Sequence, residues 1–154
     1  MSILGLGVDI VEIERMAAAL ERRPRLKERL FSEDERHYCD KRSRPEVHYA
    51  LRFAAKEAVL KALGTGFSGM RFRDVEVARD ATGRPIPILH GAAAARAAEL
   101  GIVEMHLSLS FTHTTAVASA VAITEDARPR KEEKADPMAE LARSFKDARA
   151  LLDE

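Results

Sequence analysis

The sequence predicts an α+β fold in which an antiparallel sheet packs against helices, and three observations carry that prediction. Val103 to Phe111 alternates apolar and polar residues, and a short turn at His113-Thr114-Thr115 leads into a second strand-like run, Ala116 to Ile123. His48 to Leu63 carries apolar residues at helical spacing and is closed by Gly64, the residue type that ends helices in the left-handed conformation. Ile3 to Val11 has a two-residue period, with Leu4, Leu6, Val8 and Ile10 on one side and Gly5, Gly7 and Asp9 on the other. A length of 154 residues with 46% hydrophobic and 32% charged side chains suits one domain with its own core.

The glycines of the first strand mark a close approach, of another backbone or of a ligand. Asp9 at the end of that bare side is either an acid at an opening or a cap for the helix that follows. Glu12 to Leu30 reads as helical with a break at Pro24, and Ser32 to Asp40 starts on a capping box formed by Ser32 and Glu35, with Tyr38 and Cys39 facing the core. In the central helix Leu51, Ala55, Ala58, Val59 and Ala62 form an apolar stripe, and Glu57 and Lys61 lie together on the opposite side between small and apolar neighbours. A strand is expected over Phe72 to Arg79, a turn over Asp80 to Gly83, an edge strand over Pro85 to Leu89, and an alanine-rich helix over Gly91 to Leu100. In the 103–111 strand, Val103, Met105, Leu107, Leu109 and Phe111 are expected to point inward. Residues 1–124 form one unit, 125–135 a charged linker, and 136–152 an amphipathic helix whose seam is Met138, Leu141, Phe145, Ala148 and Leu152.

Composition restricts the chemistry. The 25 Lys and Arg balance the 25 Asp and Glu, which argues against a nucleic-acid binder, and no apolar run is long enough for a membrane span. The single cysteine, Cys39, allows neither an internal disulfide nor a cysteine zinc site, and a reduced cytoplasmic setting follows as the expectation. A local excess of four positive charges lies between Arg15 and Arg29, either a solvated helix face or a dock for an acidic partner. P-loop, dinucleotide-binding and nucleophile-elbow motifs are missing. What remains is two acids, Asp9 and Glu57, on small or apolar surfaces, followed by Lys61 and a glycine loop. Oxygen ligands of this kind suit Mg²⁺, which takes one or two carboxylates together with substrate phosphates. Arg52, Lys56 and Lys61 are candidates to neutralise phosphate charge, and Gly64 and Gly66 to let backbone N–H groups approach it. A Glu–Lys pair simply solvated on a helix is the competing reading.

Gly5-Leu6-Gly7-Val8-Asp9-Ile10-Val11, Phe31-Ser32-Glu33-Asp34-Glu35, and Arg52-Phe53-Ala54-Ala55-Lys56-Glu57-Ala58 running on to Lys61-Ala62-Leu63-Gly64-Thr65-Gly66 together resemble the holo-acyl-carrier-protein synthase family of 4′-phosphopantetheinyl transferases. The resemblance spans about residues 3 to 123 and includes Asp80, Gly83 and Pro85 and the segment Ser110-Phe111-Thr112-His113-Thr114. It implies transfer of phosphopantetheine from coenzyme A to a serine of an apo-acyl carrier protein, freestanding or a carrier domain of a synthase, in support of fatty acid biosynthesis, with release of adenosine 3′,5′-bisphosphate. It implies Mg²⁺ on Asp9 and Glu57 and charge stabilisation by Lys61. The serine proton still needs an acceptor, for which Glu57, through a metal-bound water, is the candidate. It further implies coenzyme A contacts from Arg52, Lys61, Gly64, Thr65, Gly66, Arg84, Pro85, Thr112 and His113. His113 is the motif histidine, unless Phe111-Thr112 is an insertion, in which case His106 takes its place. Arg15, Arg22 and Arg25 become candidates for docking the acidic carrier, and the family's trimers, with active sites at subunit interfaces, become the expected assembly. A noncatalytic carrier-binding module and an unrelated metal-dependent phosphotransferase are the alternatives.

Overall fold

The computed structural model describes residues 1–64, 69–125 and 137–153. Strand β1 (Ile3–Glu12) runs directly into helix α1 (Ile13–Arg22), and Pro24 separates α1 from the short α2 (Leu26–Leu30). Helix α3 (Glu33–Asp40) begins on the expected capping box: Ser32 Oγ accepts the Glu35 N–H at 3.2 Å and Glu35 Oε1 accepts the Ser32 N–H at 2.9 Å. The central helix α4 (Pro45–Ala62) starts three residues earlier than its apolar pattern suggests, because Pro45 occupies a first-turn position where a missing N–H costs nothing. Gly64 follows it with φ 73°.

The rest of the chain is strand-rich. The strand expected from Phe72 begins only at Val75, since Asp74 Oδ2 accepts the Arg71 N–H and winds Phe72–Asp74 into a 3-10 turn. Strands β2 (Val75–Arg79) and β3 (Pro85–Leu89) form a two-stranded ribbon, and α5 (Gly91–Glu99) leads to the hairpin of β4 (Ile102–Phe111) and β5 (Thr115–Thr124). The main sheet has the order β1-β5-β4, antiparallel throughout. Its β4 edge departs from the expected alternation. Pairing shifts between Ile102 and Glu104, so Val103 is an extra residue turned to solvent, and Phe111 at the far end is exposed as well. Leu107 is buried, and Met105 and Leu109 pack against the core as expected.

Helix α4 lies on one face of this sheet, and the residues facing it are small. Ala116, Ala118, Ala120 and Ala122 of β5 are buried. A Cβ at Gly5 would come within 2.0 Å of the Ala62 carbonyl oxygen, and one at Gly7 within 1.8 Å of the Ala58 oxygen. The glycine side of β1 is therefore closed by the backbone of α4 and is no ligand opening. The next residue on that side, Asp9, meets α4 through the Lys61 side chain. The opposite side of β1 has no cover among the described residues: Leu6 is 67% and Ile10 64% exposed, with Leu4 and Val8 also open.

Beneath α4 on its far side lies a polar centre that the sequence reading missed. Lys56, expected to face phosphate, is wholly buried: Nζ donates to Glu35 Oε1 at 2.8 Å, to the Phe72 carbonyl at 3.3 Å and to the Val75 carbonyl. Glu35 Oε2 accepts the Val77 N–H at 3.2 Å. A lysine has three donors, and all three are used here. Helix α6 (Pro137–Leu152) shows its apolar seam to solvent, with Met138 70% and Phe145 68% exposed.

Candidate active site

Asp9 and Glu57 meet at the mouth of a cleft of about 530 Å³ walled by Val11, Met16, Leu26, Leu30 and Phe53, with Arg15 on its rim. β1 and α4 deliver the two acids. The Gly5–Gly7 contact holds the strand against the helix, so the next same-side residue, Asp9, arrives beside Glu57. Lys61, one turn on, donates to Asp9 Oδ1 at 3.1 Å and to the Val8 carbonyl at 2.9 Å. Asp9 Oδ2 is buried and receives no donor among the described residues. The group within hydrogen-bonding reach is the Glu57 carboxyl, which when ionised is also an acceptor. Burial first, then the proton shared with Asp9 and the Asp9 charge, push the Glu57 pKa up to about 7, while Lys61 opposes the rise.

Two carboxyls facing each other with one oxygen orphaned form a site that a divalent cation would satisfy, and with only two protein ligands it suits an ion that keeps waters and takes phosphate oxygens. Among the described residues no set of three or more His, Cys, Asp and Glu forms a metal cluster.

The remaining expected residues lie elsewhere on the chain. Arg84 and Pro85 line a second cavity of about 470 Å³ together with His48, Arg79, Ser108 and Phe111. His113 lies on the β4–β5 turn, in a third recess shared with Glu12, Glu14 and Arg44; Thr112 precedes it and closes the hairpin through its N–H to the Thr115 carbonyl at 2.8 Å. His106 sits within β4, its Nε2 3.0 Å from Glu104 Oε2. Gly64 is exposed, and Thr65 and Gly66 fall outside the described residues. Arg15, Arg22 and Arg25 are exposed and have no ion-pair partner among the described residues.

Arg52 is 2% exposed, with a buried Nε that has no partner among the described residues. Its guanidinium lies 4.0 Å from the centre of the Tyr38 ring, which also receives Arg42 at 4.0 Å and Arg79 at 4.8 Å. Burial, followed by Arg52, Arg42 and Arg79, holds the His48 pKa below its ordinary value. Tyr38, expected in the core, is thus a half-buried platform for three arginines from three segments. Sequence spacing holds no signal that would unite them.

A family model described as the 4′-phosphopantetheinyl transferase superfamily matches residues 5–121. The chain belongs to that superfamily. The holo-[acyl-carrier-protein] synthase of Alkaliphilus metalliredigens is 49% identical over 78% of this chain and 98% of its own, and that of Streptomyces coelicolor 50% identical over 81% and 99%. Among solved structures, a Plasmodium yoelii acyl carrier protein synthase with ADP bound aligns with TM-score 0.73 at 30% identity, covering 80% of this chain and 97% of that one. A Bacillus anthracis holo-(acyl-carrier-protein) synthase in complex with CoA (3′,5′-ADP) aligns with TM-score 0.66 at 36% identity, covering 80% and 98%. As a phosphopantetheinyl transferase, the chain carries Asp9 and Glu57 in a cleft that α1 also borders, with Lys61 paired to Asp9.

Proposed function

We propose that this transferase moves the 4′-phosphopantetheine group of coenzyme A to a serine of an apo-acyl carrier protein, releasing adenosine 3′,5′-bisphosphate and supplying holo-carrier for fatty acid synthesis in the cytoplasm. The observation that carries the reading is the Asp9–Glu57 pair with Lys61 on Asp9, at a cleft whose rim holds Arg15. Mg²⁺ held by Asp9 and Glu57 would draw charge from the pyrophosphate of coenzyme A and make its phosphorus more electrophilic. Lys61 keeps a positive charge beside the acids and can follow charge onto phosphoryl oxygens. Glu57, acting through a water, is assigned as the acceptor of the serine proton.

The nucleotide end of coenzyme A is assigned to Arg52, Arg84, Pro85, Thr112 and His113, with Gly64, Thr65 and Gly66 near the diphosphate. Arg79 supports this assignment, because it borders both the cavity of Arg84 and Pro85 and the recess of Arg52. Within one chain Arg52, Arg84, Pro85, Thr112 and His113 do not line the cleft of Asp9 and Glu57. A site completed by a neighbouring subunit of a homotrimer accounts for the separation, and the bare apolar side of β1 supplies a surface for such an assembly. Arg15, Arg22 and Arg25 dock the acidic carrier. Residues 1–124 form the transferase unit and α6 an amphipathic helix beyond it, while the expected linker at 125–135 lies, from 126 on, outside the described residues.

Mass spectrometry tests the reaction. An apo-carrier incubated with coenzyme A, Mg²⁺ and this protein should gain about 340 Da on one serine, the mass of the transferred phosphoryl-pantetheine arm. Complex formation without that gain would instead indicate a binding module.

A further inference from the structure

The Gly and Ala surface that lets α4 approach the sheet fixes its distance but supplies few side-chain ridges to stop the helix from turning about its axis. Rotation matters at Glu57. Side chains reach about 5–6 Å from a helix axis, so a turn of about 10° would move the carboxyl by about 1 Å relative to Asp9, and errors of that size in placed groups can cost about 10²-fold in rate. Lys56 lies about 200° round the helix from Ala58, the residue in contact with Gly7, and so on the side away from the sheet.

On that side the Lys56 ammonium is bound to three acceptors from three directions: Glu35 on α3, Phe72 in the 3-10 turn and Val75 at the start of β2. Glu35 is itself fixed by the Ser32 and Val77 N–H groups. The Phe72 ring stacks on Phe53 with centroids 4.9 Å apart and planes 18° from parallel, so the same anchor also sets a wall of the cleft.

We infer that Lys56 is a positioning residue: through its buried contacts with Glu35, Phe72 and Val75 it sets the rotation of α4 and so aims Glu57 at Asp9. This rests on the reading of Asp9 and Glu57 as a divalent-cation site. Supporting groups behind a metal ligand typically change affinity or activity about 10–100-fold when removed.

The test compares wild type, Lys56→Met, and the double variant Glu35→Gln/Lys56→Met, which removes the unpaired buried carboxylate that the single change leaves behind. Three quantities are measured: melting temperature, Mn²⁺ affinity by paramagnetic resonance, and kcat and KM for transfer. The double variant is expected to melt within about 5 °C of wild type, yet to bind Mn²⁺ about 10-fold more weakly and to lose about 10–100-fold in kcat, with KM for coenzyme A changed by less than about two-fold. A folded double variant with wild-type Mn²⁺ affinity and kcat would overturn the assignment. Failure of both variants to fold would make the pair a stability element and overturn it equally. Wild-type protein that binds no Mn²⁺ would instead remove the cation reading beneath it.

Discussion

Replacing Glu57 by glutamine should flatten the pH dependence of stability between about pH 4.5 and 7. In the native chain the Glu57 pKa is pushed up from 4.5 to about 7, so the folded protein holds a proton that the unfolded chain has already released. Between those values the native state binds more protons than the unfolded state, and stability falls as pH rises. The stabilisation is complete below the lower value and lost once pH passes the upper one. At about 1.36 kcal/mol per pH unit the whole interval would be worth about 3 kcal/mol, and water screening at this half-exposed carboxyl reduces it to about 1–2 kcal/mol. Urea denaturation in EDTA at pH 5 and pH 8 measures it. Wild type should lose about 1–2 kcal/mol more than Glu57→Gln over that span. At pH 8, about 10 mM Mg²⁺ should return stability to wild type and much less to the variant, by preferential binding to the native state. Parallel profiles for the two proteins would refute the claim that the carboxyls of Asp9 and Glu57 oppose each other.

Lys61→Met should retain the melting temperature, since the side chain is 53% exposed, and lose about 10²-fold or more in kcat; a steady-state assay at saturating coenzyme A reads it. Gly7→Ala places a Cβ against the Ala58 carbonyl and should destabilise the fold by about 2–3 kcal/mol or more in thermal unfolding. Charge reversal at Arg15, Arg22 and Arg25 should slow carrier association and flatten its salt dependence while kcat at saturating carrier changes little, as stopped-flow binding across ionic strengths would show. If the sites are shared between subunits as proposed, mixed assemblies of Asp9→Ala and His113→Ala chains should regain activity that neither parent has, because some interfaces then combine an intact Asp9 with an intact His113.

The elements legible in the sequence are those set by neighbours in the chain. The Ser32–Glu35 capping box, the β4–β5 hairpin, the break at Pro24 and the stop at Gly64 all depend on residues within a few positions of each other. The Asp9–Glu57 pair was legible because each acid lies in an unusual local setting, two glycines before one and apolar neighbours beside the other. The burial of Lys56 was not legible. On the helix it is one more cation beside Arg52 and Lys61, and only α3 and the turn at Phe72, brought in by the fold, decide that it faces the core. The three arginines at Tyr38 escape for the same reason, and Val103 escapes because a bulge is invisible to a strict two-residue period. Glycine at positions 5 and 7 was compatible with a ligand or a backbone neighbour, and the carbonyls of Ala58 and Ala62 settle it for the backbone.

If the proposed trimer closes over the side of β1 that no described residue covers, output is tied to abundance. A row of Leu4, Leu6, Val8 and Ile10 facing water makes the isolated chain an unfavourable species, so turnover per molecule should fall when the protein is diluted and recover when it is concentrated. Expression level would then act as a threshold: a cell holding few copies would load its carriers less than proportionally, with no dedicated inhibitor required.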